Sequence, residues 1–402
     1  MIRSTLFAAA TSPLLALAMM APGWSATAVT NDTWPQYRGV NRDGISPEKL
    51  TFGADAPETI WKAKVGIGFS SLAISDGLVY ASGNANDQDT LHCLDAKTGK
   101  SVWTFSYAQK LDPNLYEGGP NATPTIAGKM VFIMAKDGFT AALDAKTGKV
   151  IWQKNLAQEL GAQKPQWGFS GSPTIIGRAL FLNIGSHGSA YEAATGKLLW
   201  KSGTDAAGYA TPVPLTVGKE THLLMFTKDA LAGVDAGSGK KIWSFPWTTN
   251  YGINSADPIA FESQVFVSTG YEYGCGLIDI SGQPKEVWRN KNMKNHMNGC
   301  VLIAGSLYGF DMSTLKCLDW ATGQVKWEQG TLGKGSLSAC NGKLVILSEK
   351  GELVIADATP TAFKEISRSQ VLTGKCWTSP AIADGRIYCR NAKGDLVCLV
   401  VK

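Results

Sequence analysis

Short apolar runs separated by glycine-rich turns recur along most of the chain. Few segments place apolar residues at a 3.6-residue spacing, so helix is predicted to be a minor component. Four-strand units are indicated instead. Each has a Ser/Thr-Pro segment such as 172–176, an apolar strand such as 130–135, a strand ending at an acidic residue, and a strand carrying a tryptophan. This pattern predicts an all-β protein built from repeated hairpins.

The end of each unit is a recognisable repeat. Five copies place an acidic residue eight positions before a tryptophan: CLDAKTGKSVW (93–103), ALDAKTGKVIW (142–152), AYEAATGKLLW (190–200), GVDAGSGKKIW (233–243) and CLDWATGQVKW (317–327). Looser copies end at Trp61 and Trp288, and an eroded copy lies near Ile366, where Asp357 begins the turn and no tryptophan follows. These eight marks stand about 39 to 49 residues apart, a spacing typical of four-stranded propeller blades. An eight-bladed β-propeller of antiparallel blades is therefore predicted.

Turn chemistry and packing account for the repeated residues. An acidic side chain can accept hydrogen bonds from the backbone of the turn that follows it, and glycine tolerates a positive φ there. The tryptophan rings would pack blade against blade, each burying about 150–250 Å². We therefore assign a structural role to this set: Trp61, Asp95, Trp103, Asp144, Trp152, Glu192, Trp200, Asp235, Trp243, Trp288, Asp319 and Trp327.

The two ends of the repeat region complement each other. Residues 376–402 supply three strands of an eighth blade, and the segment around Trp61 can supply the fourth. A blade shared in this way closes the ring and leaves no free sheet edge. We expect residues 58–402 to form one propeller domain, preceded by a lead-in segment at 29–57.

The first 28 residues have the features of a secretory signal peptide. A basic start at Arg3 is followed by an uncharged apolar stretch from Leu6 to Met20 and by the small-residue site Ala26-Thr27-Ala28. No cysteine lies near that site to accept a lipid, and no later segment has the ~18 apolar residues of a membrane span. A soluble periplasmic or extracytoplasmic protein is expected.

Composition and charge narrow the functional classes. Hydrophobic residues make up 44% of the chain and charged residues 18%, which suits a large packed core. The formal net charge of +5 comes from lysines scattered singly, so a nucleic-acid-binding surface is not expected. The four histidines lack metal-ligand spacing and no Cys-x-x-Cys occurs, so no metal site is predicted. We expect a monomer.

The repeat A-x-D-A-x-T-G-K-x-x-W resembles that of the pyrroloquinoline-quinone-like (PQQ-like) propellers over nearly all of residues 58–402. Those propellers include quinoprotein alcohol dehydrogenases and the propeller subunit of the outer-membrane protein assembly machinery. The leader WPQYRGVNRDGISPE (34–48) is similar to the lead-in of small exported members. The resemblance implies the propeller fold and leaves the function open between these classes.

The resemblance transfers no catalytic residue. Dehydrogenases of this family carry an adjacent Cys-Cys pair, a calcium site of Glu, Asn and Asp, and an Asp base. No two cysteines of this chain are adjacent: Cys93, Cys275, Cys300, Cys317, Cys340, Cys376, Cys389 and Cys398. The assembly subunit is similar in size and lacks enzyme machinery, but its lipidated cysteine has no counterpart here.

A ligand funnel is predicted on the propeller axis, because the first strand of each blade lines it. The positions before each Ser/Thr-Pro pair mix aromatic rings with amides and hydroxyls, including Ser170, Ser255 and Gly335. Such a lining suits a sugar or a planar ligand, although the axis could equally hold only water and interblade packing. The candidate funnel residues are Phe69, Asn121, Trp167, Phe169, Tyr209, Tyr251, Asn254, His296, Asn298, Lys375 and Trp377.

One disulfide is suggested by strand register. A two-residue turn at Lys393-Gly394 would place Cys389 opposite Cys398 at a non-hydrogen-bonded pair, where side chains approach most closely. An oxidising compartment would permit the bond. The alternative is that Cys398 fills a small apolar packing site of the repeat.

The functional expectation is an exported, non-enzymatic scaffold or ligand-binding module with a protein partner or a small or glycan ligand. The alternative is a PQQ-dependent or sugar-linked oxidoreductase with an atypical site, which would need PQQ with calcium. An enzyme should show at least two carboxylates and a basic residue in the funnel. A scaffold should show an exposed apolar face or edge.

Overall fold

The computed structural model describes residues 34–401, which form eight four-stranded antiparallel blades around a central axis. Two strands precede the blades, β1 (Ile45–Ser46) and β2 (Glu58–Lys64). Blade 1 contains β3 (Ala73–Ser75), β4 (Leu78–Ala85), β5 (Gln88–Asp95) and β6 (Ser101–Ala108), and blade 2 contains β7 (Thr125–Ala127), β8 (Met130–Met134), β9 (Phe139–Asp144) and β10 (Val150–Asn155). Blade 3 contains β11 (Thr174–Ile176), β12 (Ala179–Leu182), β13 (Ser189–Glu192) and β14 (Leu198–Lys201), and blade 4 contains β15 (Val213–Val217), β16 (Glu220–Phe226), β17 (Ala230–Asp235) and β18 (Lys241–Pro246).

Blades 5 to 8 continue the same order. They contain β19 (Ile259–Phe261), β20 (Gln264–Thr269), β21 (Gly274–Asp279), β22 (Lys285–Asn290); β23 (Val301–Ile303), β24 (Ser306–Asp311), β25 (Thr314–Asp319), β26 (Val325–Gln329); β27 (Ser336–Cys340), β28 (Lys343–Leu347), β29 (Glu352–Asp357), β30 (Glu365–Gln370); β31 (Ala381–Ala383), β32 (Arg386–Arg390) and β33 (Asp395–Val400). A short helix, α1 (Leu156–Leu160), follows β10. The predicted all-β, eight-bladed propeller is confirmed.

The ring closes as predicted, with one blade built from both ends of the described chain. Strand β2 pairs antiparallel with β33, placing Trp61 opposite Cys398, and completes the blade of β31, β32 and β33. No helix within residues 34–401 is long and apolar enough to cross a membrane. The predicted signal peptide at 1–28 lies outside the described residues.

The repeated turn has the predicted chemistry. In blade 2, Asp144 Oδ1 accepts from the backbone N–H of Thr147 at 2.9 Å and from its hydroxyl at 2.7 Å. These bonds hold the pKa of the Asp144 carboxyl below its usual value. Gly148 has φ +71°, and a Cβ there would lie 2.6 Å from Trp103 Cε3. Glycine is therefore required both for its left-handed backbone and for the ring that covers it.

Each covering ring also forms a polar bond between blades. Trp103 Nε1 donates to the Ala145 carbonyl of the next blade at 3.0 Å. Six tryptophans of the repeat within residues 34–401 make the equivalent bond to the following turn: Trp61, Trp103, Trp152, Trp200, Trp288 and Trp327. Apolar clusters fill the spaces between neighbouring blades, as where Phe132 and Trp152 pack against Leu180 and Tyr191. The repeated residues therefore fix each blade against the next.

The eroded eighth mark lies one residue beyond the predicted position. Ser367 pairs with Ile355 as Trp327 pairs with Cys317, so Ser367 and not Ile366 occupies the tryptophan position. The shift arises because the turn closed by Asp357 N–H and the Lys364 carbonyl is two residues longer than the standard turn. The blade that Ser367 faces has no hairpin between β33 and β2, so no turn glycine is there for a ring to cover.

The predicted pairing of Cys389 with Cys398 is wrong. Cys398 lies opposite Tyr388 and Cys389 opposite Val397, and both thiols are free and buried. The reason is the turn: Asn391 N–H donates to the Asp395 carbonyl, so the loop is longer than the assumed Lys393-Gly394 turn. A one-residue change of register sends neighbouring side chains to opposite faces of the sheet.

The lead-in segment runs inside the ring. Trp34 is buried and bridges to Ile74 of blade 1, and the Pro35 carbonyl accepts from the Ile126 N–H of blade 2 at 2.8 Å. Strand β1 adds in parallel to β27, so blade 7 has a fifth, innermost strand. Arg38 Nη2 donates to the Cys300 carbonyl at 2.6 Å. These bonds to four separate blades hold the segment in one end of the central channel.

Candidate functional site

A funnel on the propeller axis opens at the face where the chain enters the first strand of each blade. Its cavity volume is about 360 Å³, within the range of about 300–1,000 Å³ typical of ligand sites. The lead-in segment occupies the opposite end of the channel, and its partly buried Tyr37 lines the bottom of the cavity. The cavity is therefore a blind funnel and not an open pore.

Side-chain oxygens from the Ser/Thr-Pro motif line the throat of the funnel. Thr123 Oγ1 accepts from the Ser71 N–H, Ser172 Oγ from the Thr123 N–H, and Thr211 Oγ1 from the Ser172 N–H, at 3.0 to 3.1 Å. Each bond joins neighbouring blades, and Asp257 Oδ1 extends the series by accepting from the Thr211 N–H at 2.8 Å. The motif thus joins the starts of the first strands by hydrogen bonds and places side-chain oxygens toward the axis.

Asp257 is the one carboxylate among the funnel-lining residues within residues 34–401. It stands before Pro258, where other blades have Ser or Thr. Burial raises the pKa of Asp257 to about 6, and the charges of Arg38 and Arg42 on the lead-in segment oppose that rise. Burial also lowers the pKa of Arg42 to about 10, and burial together with Asp257 raises the pKa of Tyr37. The arginines of the lead-in segment and the Asp257 carboxyl of blade 5 therefore interact electrostatically at the bottom of the funnel.

Aromatic side chains form the rim. Phe69 packs edge-on against Tyr116 with ring centroids 5.4 Å apart, and against Trp377 at 5.7 Å. A second pair, Trp167 and Tyr209, lies at 6.0 Å. Because these rings come from different blades and from the loop 109–124, the rim presents apolar faces around the mouth.

A histidine completes the rim in blade 6. His296 packs edge-on against Tyr271 at 4.9 Å, and its Nε2 lies 2.8 Å from the Tyr271 hydroxyl. Burial, with the nearby Lys334 ammonium, lowers the pKa of His296 to about 4, so the ring is neutral at pH 7. Its Nδ1 is buried without a hydrogen-bond partner among the described residues. His296 therefore adds a neutral polar atom and no charge.

Two lysines flank Trp377. Lys375 Nζ lies 4.3 Å from the ring centroid and pairs with Glu117 at 2.9 Å. Lys334 Nζ lies 5.4 Å from the same centroid, lines the funnel, and forms no ion pair within residues 34–401. Lys334 thus places an ammonium group at the mouth of the funnel that is not bonded to a carboxylate of the described chain.

Seven of the eleven predicted funnel residues line the cavity: Phe69, Asn121, Trp167, Tyr209, His296, Asn298 and Trp377. Phe169 is instead packed in the core between blades 2 and 3. The buried Asn254 amide donates to the Thr227 and Trp247 carbonyls. Tyr251 is exposed beside Tyr271, and Lys375 is held by Glu117, so neither lines the wall.

Sequence reasoning missed several lining residues. Tyr37 belongs to the lead-in segment, which was not expected inside the ring. Tyr116 lies in the 16-residue connection 109–124 between β6 and β7, whose unusual length was a usable signal. Asp257 could have been found as the acidic exception to the Ser/Thr-Pro motif. Lys334 adjoins the predicted ring position Gly335, but nothing local marks its side chain as facing the funnel.

Solved structures of similar shape include BamB and PQQ-type alcohol dehydrogenases. BamB from Moraxella catarrhalis superposes with a TM-score of 0.64 at 13% identity, covering 86% of this chain and 100% of that one. The quinohemoprotein alcohol dehydrogenase from Comamonas testosteroni gives 0.66 at 14% identity, covering 92% and 80%. A europium-containing methanol dehydrogenase gives 0.68 at 13% identity, covering 89% of both chains. At these identities the likeness establishes the fold alone.

Sequence comparison is more specific. The search of curated proteins found no match to this chain. A family model described as outer membrane protein assembly factor BamB matches residues 51–170 and 141–329. Because these two overlapping matches span more than half of the sequence, the chain belongs to the BamB family of PQQ-like repeat propellers.

Proposed function

We propose that this protein is an exported, non-enzymatic binding module whose central funnel holds a ring-shaped ligand. The observation that carries the proposal is the combination of aromatic faces at the rim with hydroxyl groups in the throat of a blind cavity. Ligand sites are typically apolar walls with a few directed polar groups, and this funnel follows that pattern.

The throat hydroxyls have bonding capacity to spare. Thr123 and Ser172 each use an oxygen lone pair to accept a backbone N–H. A hydroxyl that accepts in this way still carries a proton that it can donate. Ligand oxygens could therefore bond to the throat without breaking the contacts that join the blades.

The lining does not fit a calcium-bound quinone. The funnel offers Asp257 as its one carboxylate within residues 34–401, where an enzyme of this type was expected to show at least two. The eight cysteines are all buried and none lines the cavity, so no cysteine pair can face a quinone ring. No group of three or more His, Cys, Asp or Glu in the described chain is placed to hold a metal ion. The donor set therefore favours binding over PQQ-dependent oxidation.

A protein-scaffold role is a second candidate, favoured by family membership and by the outer strands. Ile151 and Leu199 immediately precede a repeat tryptophan and are 46% and 52% exposed. The same position is apolar and exposed in other blades: Ile60, Val102, Ile242 and Val287. A photocrosslinker at Leu199 should trap a partner protein if the outer edge is the scaffold surface. A crosslinker at exposed Lys240 is the control, and equal trapping at both sites would remove this candidate.

Ligand binding is tested by thermal shift on the chain from Val29 onward, with a panel of mono- and disaccharides and with PQQ plus Ca²⁺. A ligand at one hundred times its dissociation constant stabilises a one-site protein by about 2.7 kcal/mol. We expect a saccharide to raise the melting temperature and Trp167→Ala to abolish the rise. Phe261→Ala, which removes an exposed ring at the end of β19 and outside the cavity lining, should retain it. Two outcomes would contradict the proposal: a rise in melting temperature with PQQ and Ca²⁺ but with no saccharide, or no rise with any probe.

A further inference from the structure

We propose that the funnel binds the end residue of an acidic saccharide, with the sugar ring against the aromatic rim and its carboxylate at Lys334. This inference rests on the proposed function, that the funnel holds a ring-shaped ligand, and adds the chemical class of that ligand. It follows from three features of the funnel: its charge, its hydroxyl lining and its closed bottom.

The positive charge of Lys334 at the mouth of the funnel favours an anionic group on the ligand. The Lys334 side chain makes no ion pair within the described chain, although a carboxylate lies nearby. That carboxylate, Glu349, already accepts from Trp377 Nε1 at 3.0 Å and from the Lys334 backbone N–H at 3.2 Å. Glu349 is thus held by the backbone and the indole, and the Lys334 ammonium remains available to a ligand.

Asp257 is the one other charged residue among those that line the cavity within residues 34–401, and Lys375 lies close to the rim at Trp377. Lys375 pairs with Glu117, and Asp257 at the bottom faces the arginines of the lead-in segment. His296 is neutral at pH 7 because burial and Lys334 lower its pKa. Lys334 is therefore the one cation in the cavity lining within the described residues, and its ammonium makes no ion pair there. In a partly desolvated site, the hydrogen bond between an ammonium group and a carboxylate is stronger than a hydrogen bond between two neutral groups.

The hydroxyl lining favours a sugar over a flat aromatic anion. A sugar ring has apolar C–H faces that can lie on Phe69, Trp167 or Trp377, and hydroxyls around its edge. Those edge hydroxyls can bond to Thr123 and Ser172, whose own protons are free to be donated. A flat heteroaromatic anion could use the rim and Lys334 but would leave the hydroxyl protons of Thr123 and Ser172 without an acceptor on the ligand, and an unpaired buried donor is costly.

The closed bottom restricts which part of a saccharide can enter. Tyr37 lies beneath the throat, and the lead-in segment behind it is hydrogen-bonded to several blades. A chain therefore cannot thread through the axis. Only a terminal sugar residue can occupy the funnel, with the rest of the chain extending out past the rim.

The test uses two ligands with the same sugar rings, one with ionised carboxylates and one with neutral methyl esters. Digalacturonate and its dimethyl ester are titrated calorimetrically into the wild-type chain, Lys334→Gln and Lys350→Gln. Lys350 is an exposed lysine of the same blade outside the cavity lining, so its variant is the matched control. We expect wild type and Lys350→Gln to bind the acid roughly tenfold or more tightly than the ester, the size of one charge-assisted hydrogen bond. Lys334→Gln should bind both alike, and added salt should weaken only the acid.

Each outcome is decisive. Equal binding of acid and ester by the wild type, or an unchanged preference in Lys334→Gln, would overturn the acidic-saccharide inference while leaving funnel binding in place. Failure of both disaccharides to bind the wild type would also overturn it. If neutral probes also give no thermal shift, the proposed function falls as well. Circular dichroism and melting temperature establish that Lys334→Gln is folded before its affinity is compared.

Discussion

The repeated turns and the funnel obey opposite rules, although both are built from the same eight blades. At the turn between third and fourth strands, blade after blade uses an acidic residue, a Thr or Ser, a glycine and a covering tryptophan, with the same bonds. Around the rim of the funnel, equivalent positions carry Phe69, Asn121, Tyr209 and Asn298, so aromatic and amide side chains alternate with no fixed residue type. Identity between the repeated turns therefore marks what builds the ring, and departure from the repeat at the rim marks the side chains that distinguish one blade from another there.

The largest effect should come from removing a repeat tryptophan. Trp152 is buried, donates to the Ala193 carbonyl at 2.8 Å and covers Gly196 of the next blade. Trp152→Ala should lower the free energy of unfolding by about 3–5 kcal/mol, because it leaves a cavity between two blades. Urea unfolding measures this. Trp152→Phe keeps most of the packing, so its free energy of unfolding should fall much less. A fall below about 1 kcal/mol in Trp152→Ala would contradict a structural role for the repeat.

A repeat glycine should come next. Gly148→Ala forces a residue with a side chain into a left-handed conformation and sets its Cβ against Trp103, at a cost of about 1–3 kcal/mol or more. Gly128→Ala is the matched control, since Gly128 has φ +58° in the same blade and nothing within 4 Å of the added Cβ. The difference between the two unfolding free energies isolates the ring contact. Equal losses would show that tryptophan covering contributes nothing.

The acidic exception in the throat should give a smaller effect that depends on pH. Burial raises the folded-state pKa of Asp257 to about 6, above its unfolded value near 4. The folded state then binds more protons than the unfolded state between these values, so stability should fall as pH rises from about 4 to about 6. Asp257→Asn removes the titration and keeps an oxygen for the Thr211 N–H. Chemical unfolding measured across this pH range should give a flatter dependence of the unfolding free energy on pH for the variant than for the wild type. Parallel curves would contradict the raised pKa of Asp257.

The smallest change in stability should come from a funnel tryptophan. Trp167 is only partly buried and contacts Tyr209, so Trp167→Ala should cost about 1 kcal/mol or less in unfolding free energy. Its effect should appear in ligand affinity instead, the reverse of Trp152→Ala. A large loss of stability in Trp167→Ala would show that the rim ring also supports the fold and would blur the distinction between the two regions.

Local patterns sufficed wherever the structure depends on neighbouring residues. The acidic residue and the turn glycine lie four positions apart, so the hydrogen bonds of the turn could be predicted from spacing, whereas each tryptophan bonds to the turn of the next blade. Register was less secure. The loop from Asn391 to Asp395 differs by one residue from the assumed turn, and that difference separates Cys389 from Cys398. The longer turn after Asp357 likewise moved the eighth mark to Ser367.

The sequence by itself determined the number of blades, the chemistry of their turns and the closure of the ring, because these follow from a repeat and from short-range hydrogen bonding. The tertiary structure alone decided that residues 34–46 enter the channel, that Asp257 meets Arg38 and Arg42, and that Lys334 remains unpaired at the mouth. Asp257 stands more than two hundred positions from Arg38 and Arg42, and no local pattern specifies which side chains meet on the axis when the ring closes.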